Sequence, residues 1–440
     1  MSRMIFYRHT REGRLAEKLY DMTVKQERAS ENKDELIEAA SELFELAVHE
    51  GYVGNLWHRL LTEALVYDEN PFTISAERRG RVDGSIRDAV MTDLRLFYEM
   101  FSADIFSSPS VENVFGDKEQ YLDYRPTRGS GMKYNPIIRA EINELCVKLS
   151  KAASAEEMRE LLEGFYEKRG VGVFGLHKAF RVGNKTDNGI PAANGNGRME
   201  ALEVYPIYNI AVTCLNDLVG YESQKEQLRE NTEAFLEGRK ANNCLLYGEA
   251  GTGKSSSIRA ILNEYYDRGL RMIEVYKHQY SEINMLIDRL KNRNYRFIIY
   301  MDDLSFEEFE VEYKYLKAVL EGGLESRPDN VLIYATSNRR HLVRENFSDR
   351  EERDDDKHAN ETVQEKISLC ARFGLSIYYG SPAQEEFFKI VEELADRYGI
   401  EMDRETLRLE ANRWEITHNG FSGRTATQFI DHLRGKSGTI

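Results

Sequence analysis

Gly248-Glu249-Ala250-Gly251-Thr252-Gly253-Lys254-Ser255 fits the phosphate-loop pattern G-x-x-x-x-G-K-[ST]. It stands between an apolar strand candidate, Cys244-Leu245-Leu246-Tyr247, and a helix-like run from Ser256. That strand–loop–helix setting separates a nucleotide site from a Gly-rich turn with an exposed lysine. Glycines allow the tight backbone geometry in which successive N–H groups converge on phosphate oxygens, aided by the positive end of the following helix. Gly248, Glu249, Ala250, Gly251, Thr252, Gly253, Lys254, Ser255 and Ser256 are therefore the candidate phosphate contacts. Lys254 is expected to reach the β and γ phosphates, and the Ser255 hydroxyl to ligate Mg²⁺.

Phosphate loops also serve small-molecule kinases and GTPases, so residues further along the chain decide between them. Phe297-Ile298-Ile299-Tyr300-Met301 reads as a buried strand ending in Asp302-Asp303. Strand tips of open parallel sheets face the ligand crevice, which sets both carboxylates beside the metal and the γ phosphate. Asp302 would hold Mg²⁺ through water and Asp303 would position or polarise the attacking water. A further strand, Val331-Leu332-Ile333-Tyr334-Ala335-Thr336, ends at Ser337-Asn338-Arg339-Arg340. The Asn338 amide would hydrogen-bond the γ phosphate or the water, although Ser-Asn is also ordinary turn chemistry.

Around these motifs helices alternate with short apolar strands: Cys244-Tyr247, Met272-Tyr276, Phe297-Met301, Val331-Thr336 and Leu375-Tyr379. Such alternation implies a mostly parallel sheet covered on both faces. Ser381-Pro382-Ala383-Gln384 predicts a helix start with a cap, an early proline and a capping-box glutamine. Phe387, Val391, Leu394 and Tyr398 would line its buried face. The last sixty or so residues read as a helical lid. In it Ser422 caps a helix and Arg424 sits in the first turn, where a cation opposes the helix dipole at about 0.3–1 kcal/mol. An anion nearby, or pairing with Asp431 or another lid carboxylate, would account for that placement.

The first half reads as helical. Ile86, Val90, Leu94, Phe97 and Phe101 share a face, as do Leu36, Ile37, Ala40, Leu43, Phe44 and Ala47. Ser154 with Glu157 announces another helix, continued by Met158, Leu161, Leu162 and Phe165. No catalytic constellation is found before about residue 200. Residues 182–198, VGNKTDNGIPAANGNGR, read as a flexible loop or linker. The expected division is a mainly helical accessory or partner-binding domain at 1–199, an α/β nucleotide-binding core at 200–380 and a helical lid at 381–440.

The 440 residues exceed one ordinary core. With 41% hydrophobic and 31% charged residues the composition is that of a soluble globular protein, and a net charge of -15 disfavours indiscriminate polyanion binding. The four cysteines lack paired spacing, so neither a zinc site nor a disulfide framework is expected. Arg3, Arg8, Arg11 and Arg14 precede no apolar block long enough for a signal, and no apolar run approaches the roughly twenty residues of a spanning helix. A cytoplasmic protein without a membrane partner is expected. The run at 349–357 reads as a solvated loop. Arg339, Arg340, His341 and Arg344 form a basic group suited to nucleic acid or to inter-subunit phosphate and carboxylate contacts.

The ordered set GEAGTGKS, IIYMDD, ATSN, ARFG and SGR, preceded by DLVGY at 217–221, resembles the AAA+ ATPase module with its helical lid. MDDLSFEEFE, LKAVLEGGLE, ATSNRRHL and GFSGRTATQFI are similar to a bacterial family of predicted AAA+ ATPases of unassigned function. The resemblance runs from about Asp217 to Leu433. It implies base contacts at Leu218, Val219 and Gly220, a first sensor at Asn338 and a second at Arg424. It also implies an arginine finger, Arg372, given to a neighbouring subunit, hence a ring or filament with shared sites. Two departures stand out: Asp303 where most AAA+ proteins carry Glu, implying slow hydrolysis, and Ala371 where the nearer family carries an acid that would orient Arg372.

The expected function is an oligomerising Mg-ATPase that couples hydrolysis to remodelling a protein or nucleoprotein partner, with nucleic-acid binding left open. The alternative is an ATP-gated binding or loader module with little hydrolysis. A third class, a small-molecule phosphotransferase, would need neither finger nor second sensor.

Overall fold

The computed structural model describes residues 4–23, 33–106, 119–126, 134–183, 203–306, 310–321, 327–338, 369–418 and 420–437. Of the loop expected at 182–198, Val182 and Gly183 instead end a strand, and the remainder, the basic group Arg339, Arg340, His341 and Arg344, and the charge run at 349–357 lie outside the described residues. The chain forms two compact units, residues 1–178 with 206–208, and 179–205 with 209–440.

In the first unit helices α1 (Arg11–Thr23), α2 (Lys33–Glu50), α3 (Leu56–Tyr67), α4 (Pro71–Arg79), α5 (Gly84–Ser102), α6 (Pro136–Ser150), α7 (Ala155–Arg169) and α8 (Gly172–Leu176) enclose one core. The apolar stripes read from sequence face it: Val90, Leu94 and Phe97 are fully buried, as are Leu43 and Ala47. Ile37, expected on that face, is 46% exposed, because the buried stripe of α2 runs through Leu36, Ala39, Ala40 and Leu43 and leaves the next position outside. The Ser154 cap forms as read. Its hydroxyl accepts from the Glu157 N–H at 3.2 Å, and the Glu157 carboxylate accepts from the Ala153 N–H at 2.6 Å. Polar anchors pin the core: Asp93 accepts backbone N–H groups of Ile5, Phe6 and Tyr7 at 2.8, 2.7 and 3.2 Å.

The second unit holds a seven-stranded sheet of β1 (Ala179–Gly183), β2 (Glu203–Pro206), β3 (Cys244–Gly248), β4 (Leu270–Glu274), β5 (Arg296–Met301), β6 (Val331–Ser337) and β7 (Leu375–Tyr379). Their order is β2-β1-β4-β5-β6-β3-β7, and β1/β4, β4/β5, β5/β6, β6/β3 and β3/β7 pair in parallel. All seven residues of β6 are buried, whereas β7 at the edge alternates exposed and buried positions, as expected of a sheet covered on both faces at its centre. Helices α9 (Glu222–Leu236), α10 (Lys254–Tyr265), α11 (Ile283–Leu290) and α12 (Glu312–Glu321) alternate with the strands. The lid helices α13 (Gln384–Arg397), α14 (Arg404–Thr417) and α15 (Gly423–Ser437) close around Phe387, Val391, Ala411, Ala426 and Ile430.

The expected layers are the observed ones: a mostly parallel-sheet α/β core followed by C-terminal helices and preceded by a mainly helical N-terminal region. Several boundaries differ. Strands β1 and β2 extend the sheet, so the sheet-bearing unit takes in Ala179–Gly183, ahead of the boundary read near residue 199. Strand β4 starts at Leu270 rather than Met272, because the Arg271 guanidinium lies over the Tyr266 and Tyr295 rings at 4.4 and 4.5 Å and so enters the interior paired. Helix α13 starts at Gln384, its first turn closed by the Glu386 carboxylate accepting from the Ala383 N–H at 3.1 Å rather than by Ser381. Tyr398, expected in the buried face, is 44% exposed and lies under the Arg434 guanidinium at 4.5 Å. Among the described residues no helix is long and apolar enough to cross a membrane.

Candidate functional site

Strands β3, β5 and β6 end side by side, and the loops leaving their C-terminal ends surround a cavity of 660 Å³. Its walls are the loop Ala250–Ser257, the segment around Leu218 and Val219, the tips of β5 and β6, and the lid through Ile390, Leu394, Gly423 and Arg424. A cavity of this size, lined by Leu218, Val219, Ile390 and Leu394 as well as by Lys254, Asp302 and Arg424, suits a small charged ligand.

The loop depends on three glycines with positive φ: Gly248 at 132°, Gly251 at 77° and Gly253 at 96°. At Gly251 a Cβ would meet Arg424 Cβ and Ser422 Oγ, each at 3.0 Å. The lid backbone comes just as near, the Arg424 N–H donating to the Gly251 carbonyl at 3.1 Å. Inside the loop the Glu249 carbonyl accepts from Thr252 Oγ1 at 2.8 Å and from Lys254 Nζ at 2.6 Å, and Lys254 also donates to the Gly248 carbonyl at 2.9 Å. Lys254 is 5% exposed. Burial holds its ammonium below the usual lysine range, with Arg424 acting in the same sense against the pull of Glu249, Asp303 and Asp302. A cation in that condition favours an anion beside it.

Across the cavity Ser255 Oγ donates to Asp302 Oδ1 at 2.7 Å. The same oxygen accepts from Thr336 Oγ1 at 2.6 Å, while an Arg259 nitrogen stands 3.8 Å from Asp302 Oδ2. Burial alone would raise the Asp302 pKa, but the hydroxyls of Thr336, Tyr300 and Ser255 and the Arg259 charge outweigh it and hold the carboxyl below its ordinary value. Asp303 adopts φ 51°, its N–H donating to Thr336 Oγ1 at 2.9 Å and its Oδ1 accepting from Asn338 Nδ2 at 2.8 Å. A hydroxyl and an ionised carboxylate facing one another are the oxygen donors a hard divalent cation takes.

Of the residues expected at the site, Leu218, Val219, Ala250, Gly251, Thr252, Gly253, Lys254, Ser255, Ser256, Asp302, Asp303, Asn338 and Arg424 all line this one cavity. Gly220, Gly248, Glu249 and Arg372 do not. Gly220 has φ 80° and precedes the left-handed Tyr221, so it shapes the turn. Gly248 lies beside Tyr379 of the adjacent strand β7, whose backbone leaves no room for a side chain, and Glu249 contributes its carbonyl to Lys254. Arg372, just before β7, forms an ion pair with Glu321 at the end of α12. Glu321 thus supplies the carboxylate that sequence position 371 lacks. Asp431 pairs with Arg434 at 3.6 Å, and Arg424 faces the cavity.

Sequence reading missed Thr336, Arg259 and Lys225. Lys225, 4% exposed, donates to the Leu218 carbonyl and to Glu222 Oε1, the latter at 2.8 Å. Arg259 lies four positions beyond Ser255, hence on the same helix face; that spacing was the available signal. Thr336 carries no motif signal and acquires its place only from strand register.

The family described as "Protein of unknown function (DUF815)" matches residues 191–437. No curated protein sequence matches the chain. Solved structures with a similar fold include three mutants of Thermotoga maritima RuvB, with 16%, 14% and 15% identity and TM-scores of 0.34, 0.34 and 0.36. These matches cover 50–51% of this chain and only 64–65% of those chains, so this chain spans less than two thirds of their length.

Proposed function

The chain belongs to this family of unknown function, DUF815, and we propose that it is a Mg-ATP-binding AAA+ ATPase whose hydrolysis remodels a macromolecular partner. The observation carrying this reading is the meeting of Ser255 and Asp302 at 2.7 Å, on the floor of a cavity whose loop buries Lys254. Leu218, Val219, Ile390 and Leu394 would enclose the base. The loop amides and Lys254 would take the phosphates, as oriented donors at a helix N-terminus do. Ser255 and Asp302 would hold Mg²⁺, which when bound would neutralise charge developing on the transferred phosphoryl oxygens.

Asp303 would orient the attacking water and accept its proton, held in place by Asn338. Arg424 would reach the phosphates from the lid, and Arg372, steadied by Glu321, would complete the site of a neighbouring copy. The partner moved by such an assembly would be a protein or nucleoprotein.

Calorimetry and phosphate release test this directly. Lys254→Ala should lose ATP binding. Asp303→Asn should bind ATP as the parent does and hydrolyse it about 10²-fold more slowly, the usual scale for a lost general base. Parental turnover by the Asp303→Asn protein would remove Asp303 from the water-activating role. A second reading, an ATP-gated loader that scarcely hydrolyses, draws on the short Asp303 side chain already tied to Asn338 at 2.8 Å. Steady-state phosphate release by the parent protein separates the two.

A further inference from the structure

Thr336 stands between the Asp302 carboxylate and the Asp303 main-chain N–H and so touches both residues of the Asp302–Asp303 tip. The register Met301↔Ala335 of parallel strands β5 and β6 sets the two tips level. A hydroxyl has one proton to donate and lone pairs to accept with. At Thr336 both capacities are used: Oγ1 accepts the Asp303 N–H at 2.9 Å and lies 2.6 Å from Asp302 Oδ1. Because an amide nitrogen can only donate, the hydroxyl proton is directed at Asp302, and the bond favours the ionised carboxylate.

The surrounding contacts repeat this bracing. The Leu304 N–H donates to the Thr336 carbonyl at 2.6 Å, and Ser337 Oγ donates to the Leu304 carbonyl at 2.8 Å. Asp303 sits in the left-handed region at φ 51°, which aspartate enters more readily than most non-glycine residues and which the Thr336 contact to its N–H holds here. Thr336 itself is 2% exposed, so its hydroxyl is committed to these partners rather than to solvent.

The geometry points to Thr336 as a positioning residue that presents Asp302 to the metal and fixes the main chain from which Asp303 reaches its water. The Mg²⁺ requirement for ATP, rather than affinity for the nucleotide alone, is then set from strand β6. This rests on the Mg-ATP reading of the site.

ATP affinity is measured by calorimetry in excess chelator and across a Mg²⁺ titration, for the parent, Thr336→Val, Thr336→Ser and Thr336→Cys. Thr336→Val should keep the metal-free affinity within about twofold and raise the Mg²⁺ concentration for half-maximal effect roughly tenfold, the scale of one hydrogen bond to a charged group. Thr336→Ser should match the parent, and Thr336→Cys, a weaker donor, should fall between. A parental Mg²⁺ requirement in Thr336→Val, or a shift of equal size in Thr336→Ser, overturns the proposal. If neither Val nor Cys folds while Ser does, the hydroxyl is purely structural and the proposal also fails. Absence of Mg²⁺-dependent ATP binding by the parent would instead overturn the reading of the whole site.

Discussion

A methyl group on Gly248 would stand 2.1 Å from the Tyr379 carbonyl oxygen, at a φ of 132° that L residues avoid. Gly248→Ala should therefore part β3 from β7 and lower the melting temperature, with the positive-φ strain alone costing about 1–3 kcal/mol. A melt unchanged from the parent would show that the β3–β7 pairing tolerates a side chain there. The loop motif marked Gly248 as a phosphate contact, whereas its glycine is required by a strand far along the chain. Motif spacing conveys what a local turn needs and is silent on what a distant backbone needs. Lys254, Ser255 and Asp302 were legible because their chemistry follows from type and spacing. Thr336 was not, since a threonine near the end of an apolar strand acquires meaning only when the neighbouring strand brings the Asp302 carboxylate and the Asp303 N–H to its hydroxyl.

Helix α3 carries a buried charge network that tests the packing of the first unit. Arg59 donates to Glu63 at 2.6 Å and to Asn143 at 2.8 Å, and Tyr134 donates to Glu63 at 2.7 Å, with Arg59 1% and Glu63 0% exposed. Removing one partner strands the other charge, so Glu63→Ala should destabilise the protein by about 3–5 kcal/mol. Chemical denaturation followed by circular dichroism reads it, and a loss below about 1 kcal/mol would mean that water reaches Arg59. The apolar stripes of the helices and the continuous apolar runs of β3, β5 and β6 were visible because burial on one face or both leaves a period. Strand β1 was not: Ala179–Gly183 is five residues long, interrupted by the exposed Arg181, and borders a Gly/Asn-rich tract. Element ends moved where side chains altered the rule, as Arg271 does between two rings.

At the scale of the whole molecule, Arg372 does not line the cavity while Lys254 does. If sites are shared, Lys254→Ala and Arg372→Ala proteins should each be nearly inactive, yet regain phosphate release when mixed. Random assortment across head-to-tail contacts restores roughly a quarter of the interfaces. No recovery after subunit exchange, confirmed by labelled subunits, would confine Arg372 to its own chain. The contact between Arg424 and Gly251 has a thermodynamic corollary. The lid helix is fastened to the loop main chain to main chain, so on the proposed reading a triphosphate seated in the loop and the posture of α15 would be coupled. By reciprocity, if the cavity takes a nucleotide, a binder of the lid that changes nucleotide affinity by some factor must have its own affinity changed by nucleotide by the same factor.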